Sequence, residues 1–160
     1  MQEELIKRSE QVGQILKDRQ LTIATAESCT GGLLGHILTG VSGSSGYYLG
    51  GVIAYSNAVK EALLGVRHDT LLAYGAVSEQ TAVEMAAGVR EKIGSSIGLS
   101  TTGIAGPTGG TPTKPVGLVY IGISLAGKTE AFECHFKGGR EDIKESTVNT
   151  VLEKLIQELK

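Results

Sequence analysis

Thr25-Ala26-Glu27-Ser28-Cys29-Thr30-Gly31-Gly32 joins a short apolar run, Leu21-Thr22-Ile23-Ala24, to Leu33-Leu34-Gly35-His36-Ile37-Leu38. The run before it reads as a strand and the one after it as a helix, which makes the stretch a strand-to-helix bend. Backbone N–H groups at such a bend point outward unpaired, and the helix dipole favours negative charge there. Thr30 as an N-cap, with glycines easing the turn, accounts for Thr30 and one glycine. Glu27, Ser28 and Cys29 are left without a structural reason. The bend therefore reads as a reactive site.

Outward from the bend, helices and strands alternate. Residues 3–19 read as a helix with Leu5, Val12, Ile15 and Leu16 on one stripe. A strand over 21–26 and a helix over 30–39 follow, then a loop by composition, Val41-Ser42-Gly43-Ser44-Ser45-Gly46. Tyr47 to Tyr55 reads as a strand interrupted by a bulge at Gly50-Gly51. Helices over 57–64 and 69–74 stop at Gly65 and Gly75, with Asn57 as the cap of the first. Ser78 caps a helix to about residue 93, with Ala82, Ala86, Val89 and Ile93 on one face. Ile97 to Ile104 is a strand, and 105–115 is a loop rich in glycine and proline. Val116–Ser124 and Thr129–Phe136 read as a hairpin about Ala126-Gly127-Lys128. The last helix spans about 140–159, with Val148, Val151, Leu152, Leu155 and Leu159 inward. Early βα alternation and a late hairpin predict an α/β fold, a mixed sheet with helices on both faces. No repeat, linker or composition break divides the chain, so residues 1–160 read as a single domain.

The chain has 160 residues, 41% of them hydrophobic, enough for one core. A net charge of −2, 4% aromatics and no Trp supply neither the electrostatics nor the stacking platform of a nucleic-acid binder. No apolar run approaches the roughly 20 residues of a membrane span. Met1-Gln2-Glu3-Glu4 opens an amphipathic helix rather than a signal peptide. Cys29 and Cys134 suggest no disulfide framework, and a cytoplasmic, reducing setting is expected. His36, His68 and His135 are scattered and no Cys-x-x-Cys occurs, so no metal site is expected. Glycine is the outlier, at 23 residues. That is about twice the usual share. Eight of them fall between Gly31 and Gly51, which marks loops around the bend.

Three further segments carry chemistry. If Asn57 caps a helix, Lys60 lies on its first turn, where the dipole disfavours a cation and pushes the pKa down. That is the direction a general base needs; a solvated surface lysine is the other reading. Thr101-Thr102-Gly103-Ile104-Ala105-Gly106-Pro107-Thr108-Gly109-Gly110 leaves a strand's C-terminal end, where open α/β sheets collect ligands. Its successive amides suit a phosphate or carboxylate, and a plain mobile loop is equally consistent with the glycines. It is neither a Walker loop nor a dinucleotide fingerprint. Arg140, after Gly138-Gly139, starts a helix, where a guanidinium gains nothing from the dipole; an anionic ligand or an ion pair with Glu141 or Asp142 accounts for it. Cys29 as a nucleophile needs a histidine brought to it, and a small buried residue is the alternative role.

Glu27-Ser28-Cys29-Thr30-Gly31-Gly32, Tyr55-Ser56-Asn57 with Lys60, Gly75-Ala76-Val77-Ser78, Gly103-Ile104-Ala105-Gly106-Pro107 and Lys114-Pro115-Val116-Gly117 occur in this order. In that order they resemble the CinA C-terminal domain family, from about residue 5 to residue 158. The resemblance implies a three-layer α/β/α fold, homo-oligomers and no cofactor. It also implies hydrolysis of nicotinamide mononucleotide to nicotinate mononucleotide and ammonia, within pyridine-nucleotide recycling. Other members carry the same domain behind an N-terminal molybdopterin-binding-like domain. By the resemblance, Ser28 and Lys60 are the catalytic serine and lysine and Tyr55 is the tyrosine of a Tyr-x-Asn motif. Ser45, Thr102 and Arg140 correspond to active-site positions. Gly139 stands where an aspartate is common, which puts the anchoring of Arg140 in question.

These residues suit the chemistry. Ser28 attacks the carboxamide, and Lys60 takes its proton directly or through Tyr55. Backbone N–H groups near Thr30, Gly31 and Gly32 are the expected oxyanion donors. Gly106, Gly109, Gly110 and Arg140 are expected at the 5′-phosphate. Glu27 orients the loop or a ribose hydroxyl. Two other readings stand beside this one. One is a hydrolase that uses Cys29. The other is a non-catalytic, partner-binding module, since the family is linked to DNA uptake and damage responses.

Overall fold

The computed structural model describes all 160 residues, Met1–Lys160. Its five strands are β1 (Ile23–Glu27), β2 (Tyr48–Ile53), β3 (Ile97–Gly103), β4 (Leu118–Leu125) and β5 (Lys128–His135). The helices are α1 (Gln2–Arg19), α2 (Leu33–Thr39), α3 (Asn57–Leu64), α4 (His68–Tyr74), α5 (Glu79–Ile93) and α6 (Arg140–Leu159). The strands form one sheet in the order β2-β1-β3-β4-β5. β1 runs parallel to both its neighbours, and β3, β4 and β5 are joined antiparallel. This is the expected mixed α/β sheet.

Every residue of β1 is buried, because helices cover both faces of the sheet. Ile23 packs with Leu5, Val12 and Leu16 of α1, Leu34 and Ile37 of α2, and Val148, Val151 and Leu155 of α6. Ala24 and Ala26 face the other way, toward Leu64, Leu71, Met85 and Val89 of α3, α4 and α5. The period of 2 along the strand thus divides the core into two layers, as strand geometry requires. On the second layer α5 rests directly on the backbone of β3 and β4. Side chains at Gly98 and Gly122 would run into the carbonyls of Ala86 and Ala82. Ser100 Oγ donates to Ala82 O at 2.7 Å in the same contact.

Three local readings are corrected. The helix expected from residue 30 begins at Leu33, and its cap position is Gly32 rather than Thr30. Ser56, not Asn57, caps α3, its hydroxyl accepting the Val59 N–H at 3.2 Å. In β2 the register slips between Tyr48 and Gly50, so Leu49 is the extra residue. Gly51 is required beside it, since a Cβ there would collide with Thr25 Oγ1 where that hydroxyl bonds Tyr48. The Ser78 cap is as expected, its Oγ accepting the Thr81 N–H at 3.1 Å.

The connections decide where a site forms. From β1 the chain passes through α2 to β2, and from β2 it returns through α3, α4 and α5 to β3 on the far side of β1. The two crossovers leave β1 and β2 toward opposite faces of the sheet, so the β1–α2 and β2–α3 loops diverge beyond the C-terminal ends of this parallel pair and leave a crevice there.

Candidate active site

Glu27 ends β1 with its carboxylate 2% exposed, turned toward the start of α2. Oε1 accepts the N–H groups of Leu34 at 2.8 Å and Gly32 at 3.2 Å, and Oε2 accepts that of Gly35 at 3.0 Å. Thr30 Oγ1 donates to Oε1 at 2.6 Å and lies 2.7 Å from Thr101 Oγ1. A carboxylate here satisfies the amides that a helix start leaves free and sits at the favourable end of the dipole. Glu27 therefore has a structural reason that its position in the sequence did not disclose: it caps α2 from before the bend. Cys29 has one too, since its side chain belongs to the core cluster under α1, α2 and α6. Ser28 remains as the residue of the bend with none.

Ser28 follows β1 directly, and its N–H is held by Thr101 O at 2.9 Å on β3. Lys60 Nζ donates to Ser28 Oγ at 3.1 Å and approaches Tyr55 O at 3.4 Å. Lys60 is 1% exposed, and no carboxylate lies within ion-pair distance of it. Burial without a counter-ion pulls its pKa below the ordinary lysine value. The direction matches the sequence reading, and the cause is burial rather than the dipole of α3.

The dyad opens into a cleft of about 280 Å³ whose only charged lining side chains are Lys60 and Arg140. Arg140, at the start of α6, spans the mouth. Nη1 donates to Gly106 O at 2.7 Å and Nη2 to the Tyr55 hydroxyl at 2.8 Å. These two bonds hold the guanidinium, and Gly139 takes no part beyond donating its N–H to Asp142 Oδ2 at 2.8 Å. Tyr55 lines the cleft with its hydroxyl accepting from Arg140, and it is the Tyr55 carbonyl that Lys60 Nζ approaches. The amides of Ala105, Gly106, Thr108 and Gly109 donate to no protein atom, and all four residues line the cleft.

A third wall comes from the turn between α4 and α5. Its carbonyls are pinned one after another: Tyr74 O by Lys114 Nζ at 2.6 Å, Gly75 O by Thr81 Oγ1 at 2.7 Å, and Ala76 O by Thr102 Oγ1 at 2.7 Å. Ala76 and Val77 then line the cleft beside Asn57 and Thr102. Asn57, Ala76, Val77 and Thr108 were not among the residues expected at the site. The available signal was Gly75-Ala76-Val77-Ser78 itself, whose glycine at φ 79° and two hydroxyl partners mark a built turn.

Six expected positions lie outside the cleft: Glu27, Thr30, Gly31, Gly32, Ser45 and Gly110. Thr30 is buried behind the bend, and the Gly31 and Gly32 amides are spent on Ser28 O and Glu27, so neither glycine is an oxyanion donor. The N–H groups of Cys29 and Thr30 form no backbone bond and are the open donors of the bend. Gly110 packs on the Val116 backbone outside the cleft. Ser45 is in a 3-10 turn before β2, at the opposite end of the β1–β2 pair from Ser28. The Cys29 thiol is pushed up to about 12 by burial, and no histidine lines the cleft, which removes the basis for a thiolate nucleophile.

The motifs that form these walls match a known family. A model of the CinA C-terminal domain matches residues 5–159. The chain belongs to the CinA C-terminal domain family. A CinA-like protein of Salinibacter ruber is 54% identical over 143 residues, covering 89% of this chain and 35% of that protein. The chain thus spans about a third of the length of the curated relatives it matches. Among solved structures, the competence/damage inducible protein CihA from Agrobacterium tumefaciens superposes with a TM-score of 0.93 at 39% identity, over 96% of this chain and 94% of that one. The competence damage-inducible protein A (ComA) from Klebsiella pneumoniae gives 0.94 at 33% identity, over 97% and 96%. The mixed sheet and its helices are therefore the CinA C-terminal fold. No helix is long and apolar enough to cross a membrane.

Proposed function

We propose that this CinA C-terminal domain is an amidohydrolase that converts nicotinamide mononucleotide to nicotinate mononucleotide and ammonia through a Ser28–Lys60 dyad. The observation that carries the reading is the Lys60 ammonium, buried without a counter-ion and 3.1 Å from Ser28 Oγ. A lysine in that setting is neutral over more of the pH range and accepts a proton at the moment Ser28 attacks.

Ser28 Oγ adds to the carboxamide carbon while its proton passes to Lys60. The oxyanion is met by the free N–H of Cys29, which lines the cleft. The C–N bond then breaks as Lys60 returns the proton to nitrogen, which leaves as ammonia with an acyl ester on Ser28. Water, deprotonated by Lys60, attacks the ester, releasing the carboxylate and restoring Ser28. Arg140 and the free amides of Gly106 and Gly109 are suited to the substrate's anionic end. The substrate itself is taken from the family resemblance, and Arg140 in a cleft with no lining carboxylate agrees with an anionic one. The homo-oligomer and the cytoplasmic setting are carried from the same resemblance and composition.

Ammonia release by wild type, Ser28→Ala and Lys60→Ala tests the reading. Turnover by wild type with losses of 10³-fold or more in both variants is expected. An active Ser28→Ala chain would return the nucleophile to Cys29. A folded wild type that releases no ammonia would leave the partner-binding module in its place.

A further inference from the structure

β2 is one edge of the sheet, paired with β1 on one side and with no strand on the other. Ala54 donates its N–H to Glu27 O at 2.8 Å, so by alternation the N–H and C=O groups of Gly51 and Ile53 point away from β1. Leu49 and Ile53 are 48% and 56% exposed on this strand, and Gly50 and Gly51 bring no side chain to its middle. The chain is 20% charged, yet no Asp, Glu, Lys, Arg or His occurs between His36 and Lys60. The opposite edge is guarded by charge, since β5 carries Lys128, Glu130, Glu133 and His135. An uncharged edge with open backbone groups and exposed apolar side chains is a template for another strand.

The strand that fits this edge is its own copy. An isologous contact sets a patch against itself, so like charges on it would meet and repel, and β2 has none. A two-fold axis across an antiparallel pair passes through a residue that faces itself, and Gly51 is the central one whose backbone groups point outward. Leu49 of each copy then lies opposite Ile53 of the other, and both leave water. We propose that β2 pairs antiparallel with β2 of a second copy about Gly51, joining the two five-stranded sheets into one. Beyond Leu49, each chain runs back past Ile53 of the other copy toward its Tyr55 and Asn57. The Ser44–Gly46 turn, at the far end of the β1–β2 pair from Ser28 in its own chain, is thereby carried to the rim of the other copy's cleft, which Tyr55 and Asn57 line. The pairing gives the homo-oligomer proposed above its surface and does not depend on the amidase reading.

Sedimentation of the full chain tests the pairing without any substrate. Wild type is expected as a dimer. Leu49→Lys puts an ammonium at both ends of the seam and is expected to raise the dimer dissociation constant about tenfold or more, with unchanged circular dichroism. Cysteines read the register, in a Cys134→Ser background. Leu49→Cys and Ile53→Cys chains, mixed and oxidised, should form a disulfide-linked dimer, because directly opposed residues lie within bridging distance. Neither variant alone should link, since each cysteine then faces a residue that is not one. A monomeric wild type leaves the edge to an extended segment of another protein and overturns the pairing. A dimer that survives Leu49→Lys, or mixed chains that do not link, overturns it as well. A dimer with this seam in a chain that releases no ammonia sustains the pairing and overturns the amidase reading alone.

Discussion

Lys60 shows how one residue's chemistry works against the stability of the fold. Its side chain is buried beside Ser28 with no acid to balance it, and burial lowers its pKa. Between that lowered value and the ordinary 10.5 the unfolded chain binds more protons than the folded one, so stability rises with pH across that window. Lys60→Met removes the penalty while keeping the volume. It is expected to raise stability at neutral pH by about 1 kcal/mol and to flatten the alkaline rise, with ammonia release abolished. Unfolding midpoints of the two chains at a series of pH values check this. The same proton equilibrium acts on turnover, so kcat/KM of the wild type rises with pH as Lys60 deprotonates and then levels. Ser28 and Lys60 were legible in the sequence as residue types at a bend and on a helix start. That they meet at 3.1 Å was not, because 32 positions separate them and only the sheet brings their ends together.

Among the elements, α2 and the α3–α5 crossing are decided by single residues. α2 has seven residues and no side-chain cap of its own, so the Glu27 carboxylate from β1 holds its first turn. Glu27→Ala is expected to cost about 2–3 kcal/mol by leaving those amides unpaired, read by urea unfolding. Turnover falls with it in proportion to how far the Ser28 bend loosens. Local spacing did not expose this role, since Glu27 precedes the helix by six residues and reads as an unexplained acid. At the other crossing, a side chain on Gly88 would enter the Leu64 carbonyl, so α3 and α5 touch backbone to backbone. Gly88→Ala should destabilise by about 3 kcal/mol. A thermal midpoint equal to wild type would refute that close approach. The helical stripes of α1, α5 and α6 were readable from periodicity because each buries one face in the core. The start of α2 was misplaced because its cap comes from a strand.

At the scale of the molecule, the cleft is built from the β1–α2 bend, the β2–α3 junction, the α4–α5 turn, the loop after β3 and the start of α6. A ligand seated there ties these segments together, and it binds only the folded chain. Nicotinamide mononucleotide at a hundred times its Kd should therefore stabilise the Ser28→Ala chain by about 2.7 kcal/mol, seen as a concentration-dependent rise in Tm. No shift at saturating concentration would argue against this cleft as its site. By itself the sequence determined the alternation of elements, the two-faced core and the strand-to-helix bend at which the cleft opens. Those follow from side-chain periodicity and turn chemistry, which act over a few residues. The tertiary structure alone decided that Arg140 closes over Tyr55 and Gly106, that Thr102 and Lys114 pin the α4–α5 turn, and that Ser45 faces away. Those contacts join residues that lie 26 to 85 positions apart, and strand order and crossover, which no local pattern encodes, set which of them meet.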